Sequence, residues 1–311
     1  MLRPISTLTL SKSAILELGK SACTYVEDIA NARDSAKYGR EVSTPVPATV
    51  SALDLWQEEL RSDRATTFCD ALDTILDGGL LCGAITEICG AHGSGKTQIC
   101  MQTSVVSGLP EECGGLNSRS LYIDTRNGFS PARVEDIIRG CQKRFPNASL
   151  DAKEILRGIN VVSPRTLDDL QSVVCDLNNH LSADSKIRVV IIDSLSLPVL
   201  CSLTDGWQRT QYYFRIFDEL QKITARHNVA ALVVNELRSH IDSKGEIVYA
   251  SAGGQLVAHR SHRRLVVARL GDSAFAARIL KSPTMPQISI MFEITDDGIR
   301  AGRSKAPHRP I

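Results

Sequence analysis

Nowhere among the nine cysteines of this 311-residue chain does a Cys-x-x-Cys pair occur, and several of the nine sit inside apolar runs. The spacing excludes the common zinc-ribbon and dithiol redox motifs, and reduced, buried thiols point to a nuclear compartment with some cytoplasmic presence. No apolar stretch approaches the roughly 18 residues that a membrane helix needs, so no membrane partner is expected. The first twenty residues, MLRPISTLTLSKSAILELGK, interrupt every apolar run with Ser, Thr or Lys, and no secretory signal is read there. Net charge is only +1, so any nucleic-acid contact must come from a local basic surface rather than from bulk attraction. Aromatic residues are sparse and no internal repeat is found. What is present, 43% hydrophobic and 23% charged residues, suits one sizeable α/β core with a small appendage.

Residues 10–38 carry Ile15, Leu18, Cys23, Val26 and Ile29 at helical spacing, and Pro45 and Pro47 follow where a regular helix cannot run. This divides the chain into a small helical N-terminal domain (1–40), a linker with its own helix (41–65), the core (66–301) and a basic tail (302–311). The linker helix starts near Ser51 with Leu53, Trp56 and Leu60 on its apolar side. In TTFCDALDTILDGGL, Asp70 reads as an N-cap, Asp73 as a first-turn acid, and Gly78 and Gly79 as the stop. From Ala84 onward AITEIC, SLYIDT, INVVS, RVVIID and VAALVV are short apolar strands alternating with helical segments, the pattern of a parallel sheet covered on both faces. RRLVVARL, FAARILKS and QISIMFEI then follow with short turns, which predicts an antiparallel extension at one edge. The fold class is α/β, mainly parallel.

Residues 90–97, GAHGSGKT, satisfy G-x-x-x-x-G-K-S/T directly after a strand and before a helical run. Glycines at 90, 93 and 95 let backbone N–H groups converge on phosphates, and the helix N-terminus adds a favourable dipole. Gly90, Ala91, His92, Gly93, Ser94, Gly95, Lys96, Thr97 and Gln98 are therefore the candidate phosphate cradle. Lys96 reaches the β and γ phosphates and Thr97 ligates Mg²⁺. Asp193 ends the strand RVVIID and is the second Mg²⁺ partner, the alternative being a helix cap after a buried strand. ATP and Mg²⁺ are the cofactors this pattern calls for.

Linked with SALDLWQEE, TTFCDALD, TEICGAHGSGKTQICMQ, LYIDT, KIRVVIIDS and ILKSPTMPQISIMFEI, this loop resembles the RecA-type strand-exchange ATPases over about residues 51–300. Within them it is similar to the paralogues of the eukaryotic RecA-like recombinase, and among those to the branch called C. The resemblance implies an ATP-binding RecA-like core acting in homologous recombination repair of double-strand breaks. The partners it implies are single-stranded DNA, directly or through a complex, other paralogues as a hetero-oligomer, and the main recombinase filament. Two positions depart from the family pattern. Arg126 stands in DTRNGF where a glutamate orients the attacking water, and Glu236 stands where a glutamine senses the γ-phosphate, although the neighbouring Asn235 fits. Lys96 and Asp193 keep their catalytic roles, and Asp124 is the remaining carboxylate able to replace the missing one. The expectation is an ATP clamp with slow turnover; the alternatives are another P-loop motor or kinase, or a catalytically inactive scaffold.

The family's two DNA-contacting loops match about Leu195–Arg209 and Glu236–Val257. Arg238, Lys244, Arg260 and Arg263 are the candidate DNA contacts, with a solvated charged turn as the competing reading of HRSHRR. The tail GRSKAPHRP is either a nuclear-import signal or a disordered end. FCDA at Phe68–Ala71 matches the Phe-x-x-Ala plug that joins recombinase protomers, but it falls inside the core segment and is read as core packing.

Overall fold

The computed structural model describes residues 49–241 and 247–302. The expected N-terminal helical domain, the proline-rich part of the linker, Lys244 and the basic tail lie outside them. The chain divides into two units, residues 1–60 and 61–311. In the first, helix α1 (Ala52–Arg61) is capped by Ser51, whose hydroxyl accepts from the Asp54 amide at 3.1 Å. None of its residues is buried, and Trp56 is exposed.

The second unit opens with a two-stranded antiparallel pair, β1 (Arg64–Ala65) and β2 (Leu80–Leu81), bracketing helix α2 (Asp70–Ile75). Cys69, not Asp70, holds the cap position, and it makes no side-chain cap bond. Asp73 does that work in reverse, accepting from the Thr67 amide at 2.7 Å and the Thr67 hydroxyl at 2.8 Å. Phe68 is buried against Phe145, with ring centroids 5.7 Å apart, beneath the Arg144 guanidinium. The FCDA segment is thus core packing, as its position in the chain suggested.

The main sheet is assembled from β3 (Ile85–Gly90), helix α3 (Lys96–Ser107), β4 (Arg119–Asp124), α4 (Pro131–Arg144), α5 (Ala152–Arg157), β5 (Ile159–Val162), α6 (Leu167–Ala183) and β6 (Ile187–Asp193). It continues with α7 (Ser196–Ser202), α8 (Gly206–His227), β7 (Ala230–Ile241), β8 (Ile247–Ser251), α9 (Gly254–Ala258), β9 (Arg263–Arg269), β10 (Ala274–Lys281), β11 (Ser289–Thr295) and β12 (Gly298–Ala301). Strand order is β12-β11-β10-β9-β3-β7-β6-β4-β5, with β8 paired to β7. The pairs from β9 to β5 are parallel and those from β9 to β12 antiparallel. Both halves of the predicted sheet are therefore present.

Alternation along the central strands builds two cores. Val189 and Ile191 of β6 and Leu232 and Val234 of β7 pack with α2, α3 and α4, while Val190, Ile192, Ala231 and Val233 pack with α6 and α8. β5 departs from the expected full burial: it has one neighbour only, and Val161 is exposed.

Candidate functional site

Registers bring the chemistry to one edge. Gly90 lies opposite Glu236 across β3 and β7, and Asp124 opposite Asp193 across β4 and β6. Gly90, Asp124 and Asp193 end their strands, while β7 runs on past Glu236 to Ile241; the carboxyl edge of an open α/β sheet is where such sheets bind ligands.

The loop after β3 curls tightly into α3. Gly95 caps the helix at φ 91°, and a Cβ there would stand 2.8 Å from Ile294 Cδ1; at Gly90 it would stand 2.5 Å from both Ser94 Oγ and the Val267 carbonyl oxygen. Only glycine fits either place. Lys96 is buried, and its ammonium donates to the carbonyls of Gly90 (2.8 Å) and Ala91 (2.7 Å). Burial pushes its pKa down, and Glu236 acts against that shift.

In front of the loop lies a cleft of about 830 Å³. Residues His92 to Gln98 form one wall and Phe275, Ile294 and Thr295 another, with Arg126, Arg133 and Arg269 as the cations. An apolar wall, converging backbone amides at a helix N-terminus free of first-turn acids, and several cations fit a nucleoside triphosphate. Gly90 and Ala91 stand behind the wall and supply the carbonyls that hold Lys96.

Asp193 is 3% exposed and accepts from the Tyr122 hydroxyl at 2.9 Å. Burial raises its pKa, and hydrogen bonds from Thr97 and Tyr122 oppose the rise. Thr97 and Asp193 thus line the cleft as neighbours. Among the described residues no group of three His, Cys, Asp or Glu side chains is placed to hold an ion. Mg²⁺ would therefore rest on these two residues together with phosphate oxygens and water, the usual arrangement for that ion.

Two sequence expectations change here, and one pairing is new. Asp124 is not a substitute for the missing carboxylate: its oxygens accept the backbone amides of Arg126 (3.0 Å), Gly128 (3.1 Å) and Phe129 (2.9 Å). It anchors that turn and does not line the cleft. Asn235 is fully buried and donates to Glu87 at 2.8 Å. Strand parity explains this, because Asn235 shares the face of Val233, away from α3, whereas Glu236 shares the face of Val234, toward it. Arg126 and Glu236, the two departures from the family pattern, pair with each other at 2.5 Å, and Arg126 also stands 3.5 Å from His92 Nδ1.

One member of the basic run is reassigned, and two others have partners. Arg263 is 3% exposed and donates to the carbonyls of Leu76 (2.5 Å) and Gly79 (3.2 Å), so it is no DNA contact. Arg264 pairs with the buried Glu87 at 2.8 Å. Arg260 pairs with Asp218 at 2.5 Å and lies 4.6 Å above the Phe214 ring. Of the two expected loops, the first is mostly helix, α7 and the start of α8 with Trp207 exposed, and the second is the hairpin β7–β8 followed by α9. Arg238 is on β7, inside that hairpin.

Arg133 was not foreseen. It donates to Gln98 Oε1 at 2.7 Å and to the carbonyls of Thr295 and Asp296 at 2.6 Å each, joining the phosphate-loop helix to the β11–β12 turn. The available signal was a cation in the first turn of α4, where the helix dipole disfavours it unless a partner is at hand.

The Rad51 family model matches residues 61–301 of the chain. The DNA repair protein RAD51 homolog 3 of Cricetulus griseus is 31% identical over 266 residues, covering 80% of this chain and 72% of that protein. The DNA repair and recombination protein RadA of Metallosphaera sedula is 29% identical over 253 residues, covering 80% of this chain and 76% of that protein.

Proposed function

The chain belongs to the Rad51 family, and from that premise we propose that it is a nuclear recombinase paralogue that holds MgATP as a slowly turning clamp in homologous recombination repair. The observation that carries the reading is the Arg126–Glu236 pair at the mouth of the phosphate loop. The loop, Lys96, Thr97 and Asp193 support binding. A guanidinium in place of a carboxylate removes the group that would orient and deprotonate water, and Asp124 is already committed to three amides. The repair and recombination role comes from the names of the two relatives.

In this reading ATP supplies the charge that the clamp closes upon. Backbone amides of residues 93–97 and the Lys96 ammonium hold phosphates; Thr97 and Asp193 hold Mg²⁺; Phe275 and Ile294 offer an apolar face to a base. Single-stranded DNA, with the hairpin after Glu236 and the exposed Trp207 as its contacts, and related paralogues that complete the assembly are the partners proposed. The burial of Phe68 leaves FCDA unavailable as a joining plug, which favours a defined hetero-oligomer over self-polymerisation. Equilibrium binding of MgATP by the full chain, beside single-turnover hydrolysis, tests the clamp. Absence of nucleotide binding refutes it, and rapid hydrolysis refutes the slow turnover.

A further inference from the structure

Arg126 and Glu236 lie 110 positions apart in sequence, and each is unusual for its place, yet they meet beside the phosphate loop, where Arg126 lines the cleft and Glu236 stands behind it. Their side chains are 25% and 26% exposed, so neither is locked in the core and neither is free in solvent. Three features locate Arg126 at the phosphate end and not the base end. Its charge acts on both Lys96 and Asp193; it approaches His92 of the loop; and its turn is held by Asp124, with Gly128 packed toward the Thr97 methyl. Glu236 is tied to the sheet on its other side. It sits opposite Gly90, its amide donates to Ser196 Oγ at 3.0 Å, and its carbonyl accepts from Ala252 at 2.8 Å, where the hairpin ends.

A carboxylate beside the first residue of a phosphate loop repels a triphosphate unless a cation stands between. Arg126 is that cation. A guanidinium has five N–H donors in a fixed plane and no acceptor. One bond to Glu236 leaves further donors on a side chain that lines the cleft, and guanidinium matches phosphate as well as carboxylate. Resting on the clamp reading above, we infer that Arg126 reads the terminal phosphate. It shares its donors between Glu236 and the γ-phosphoryl group when a triphosphate is bound, and gives them to Glu236 when a diphosphate is bound. The position that orients water elsewhere in the family thus serves here to discriminate ATP from ADP. Glu236 is the competing acceptor that makes the discrimination reversible.

The test is isothermal titration of the full chain with MgADP and with a magnesium complex of a non-hydrolysable β,γ-imido ATP analogue. Wild type should favour the triphosphate. Arg126→Gln should lower the ratio of triphosphate to diphosphate affinity by about tenfold or more, the scale of a lost charge-assisted hydrogen bond, with MgADP affinity falling less because only the uncompensated Glu236 acts on it. Glu236→Gln should raise triphosphate affinity, because the competitor is gone. The double variant Arg126→Gln with Glu236→Gln separates two explanations. If Arg126 only neutralises Glu236, the ratio returns to the wild-type value; if Arg126 is a ligand, the ratio stays low. An unchanged ratio in Arg126→Gln, or full restoration in the double variant, overturns the inference while leaving the clamp intact. Wild type that binds neither nucleotide removes the clamp itself. Should Arg126→Gln fail to fold by circular dichroism, Arg126→Lys keeps the charge and loses the fork, and an intermediate ratio is then expected.

Discussion

The nucleotide cleft and the run His259–Arg264 each gather several charged side chains, and in both the arginines have partners, yet those of the cleft border an open space while Arg263 and Arg264 of the run are turned inward. In the cleft Arg126, Arg133 and Arg269 border about 830 Å³. In the run Arg263 disappears against the carbonyls of Leu76 and Gly79 and Arg264 against Glu87, while Arg260 stays half-buried, paired with Asp218 above Phe214. Clustered charge in a sequence is therefore not a surface. What decides its role is where its partners sit: Leu76 and Glu87, which take Arg263 and Arg264, are distant in sequence but buried beside them in the fold.

Charge placement in the cleft gives the largest expected effect. Arg126→Glu alone would set two carboxylates side by side, so it should not restore hydrolysis. Arg126→Glu combined with Glu236→Gln should raise single-turnover hydrolysis by about 10² to 10⁴, the usual worth of general-base assistance. A double variant as slow as wild type would mean that the water-activating geometry is lost beyond this residue. Next, Lys96→Ala should weaken MgATP binding by about a hundredfold, since several charge-assisted hydrogen bonds go with it; filter binding with labelled nucleotide reads this directly.

On the other side of the comparison, Arg263→Ala should cost about 2–3 kcal/mol of stability, because it strips donors from buried carbonyls. Urea unfolding measures that cost, and nucleotide affinity of the folded fraction should stay at the wild-type level. The smallest effect separates the hairpin from the run. Arg238→Ala with Lys244→Ala should weaken single-stranded DNA binding and reduce its logarithmic salt slope by about one to two. Adding Arg260→Ala should change either quantity little, and a large further loss would return the run to the DNA-binding surface.

Much of this architecture was legible because it is written in local patterns. Apolar strands alternating with helices, a glycine loop between the two, and three closely spaced strands at the C-terminal side give a parallel sheet with an antiparallel edge. Lys96, Thr97 and Asp193 were legible for the same reason, since each is fixed by its place at a strand or helix end. Asn235 was misread although strand parity was available, as counting from Val233 sends it to the face away from α3. The Asp70 cap failed because Asp73 found a better partner in Thr67. Nothing local could disclose that Arg126 and Glu236 neutralise each other, or that Glu87, inside the apolar run AITEIC, is paid for by Arg264 and Asn235. Such pairings depend on which strands become neighbours, and the order β9-β3-β7 is not the order of the chain.

The chain's two tryptophans, Trp56 on α1 and Trp207 at the start of α8, are 58% and 68% exposed. Their indoles are already wet in the folded protein, so unfolding barely changes their surroundings, and the emission maximum followed during a thermal melt should stay nearly constant in wavelength while circular dichroism collapses. The same placement makes the fluorescence a report on docking. An indole that begins in water is quenched or shifted when something lies down upon it, and Trp207 stands on one of the segments assigned to DNA. The molecule thus carries an optical probe that ignores its own melting and answers to what binds its surface.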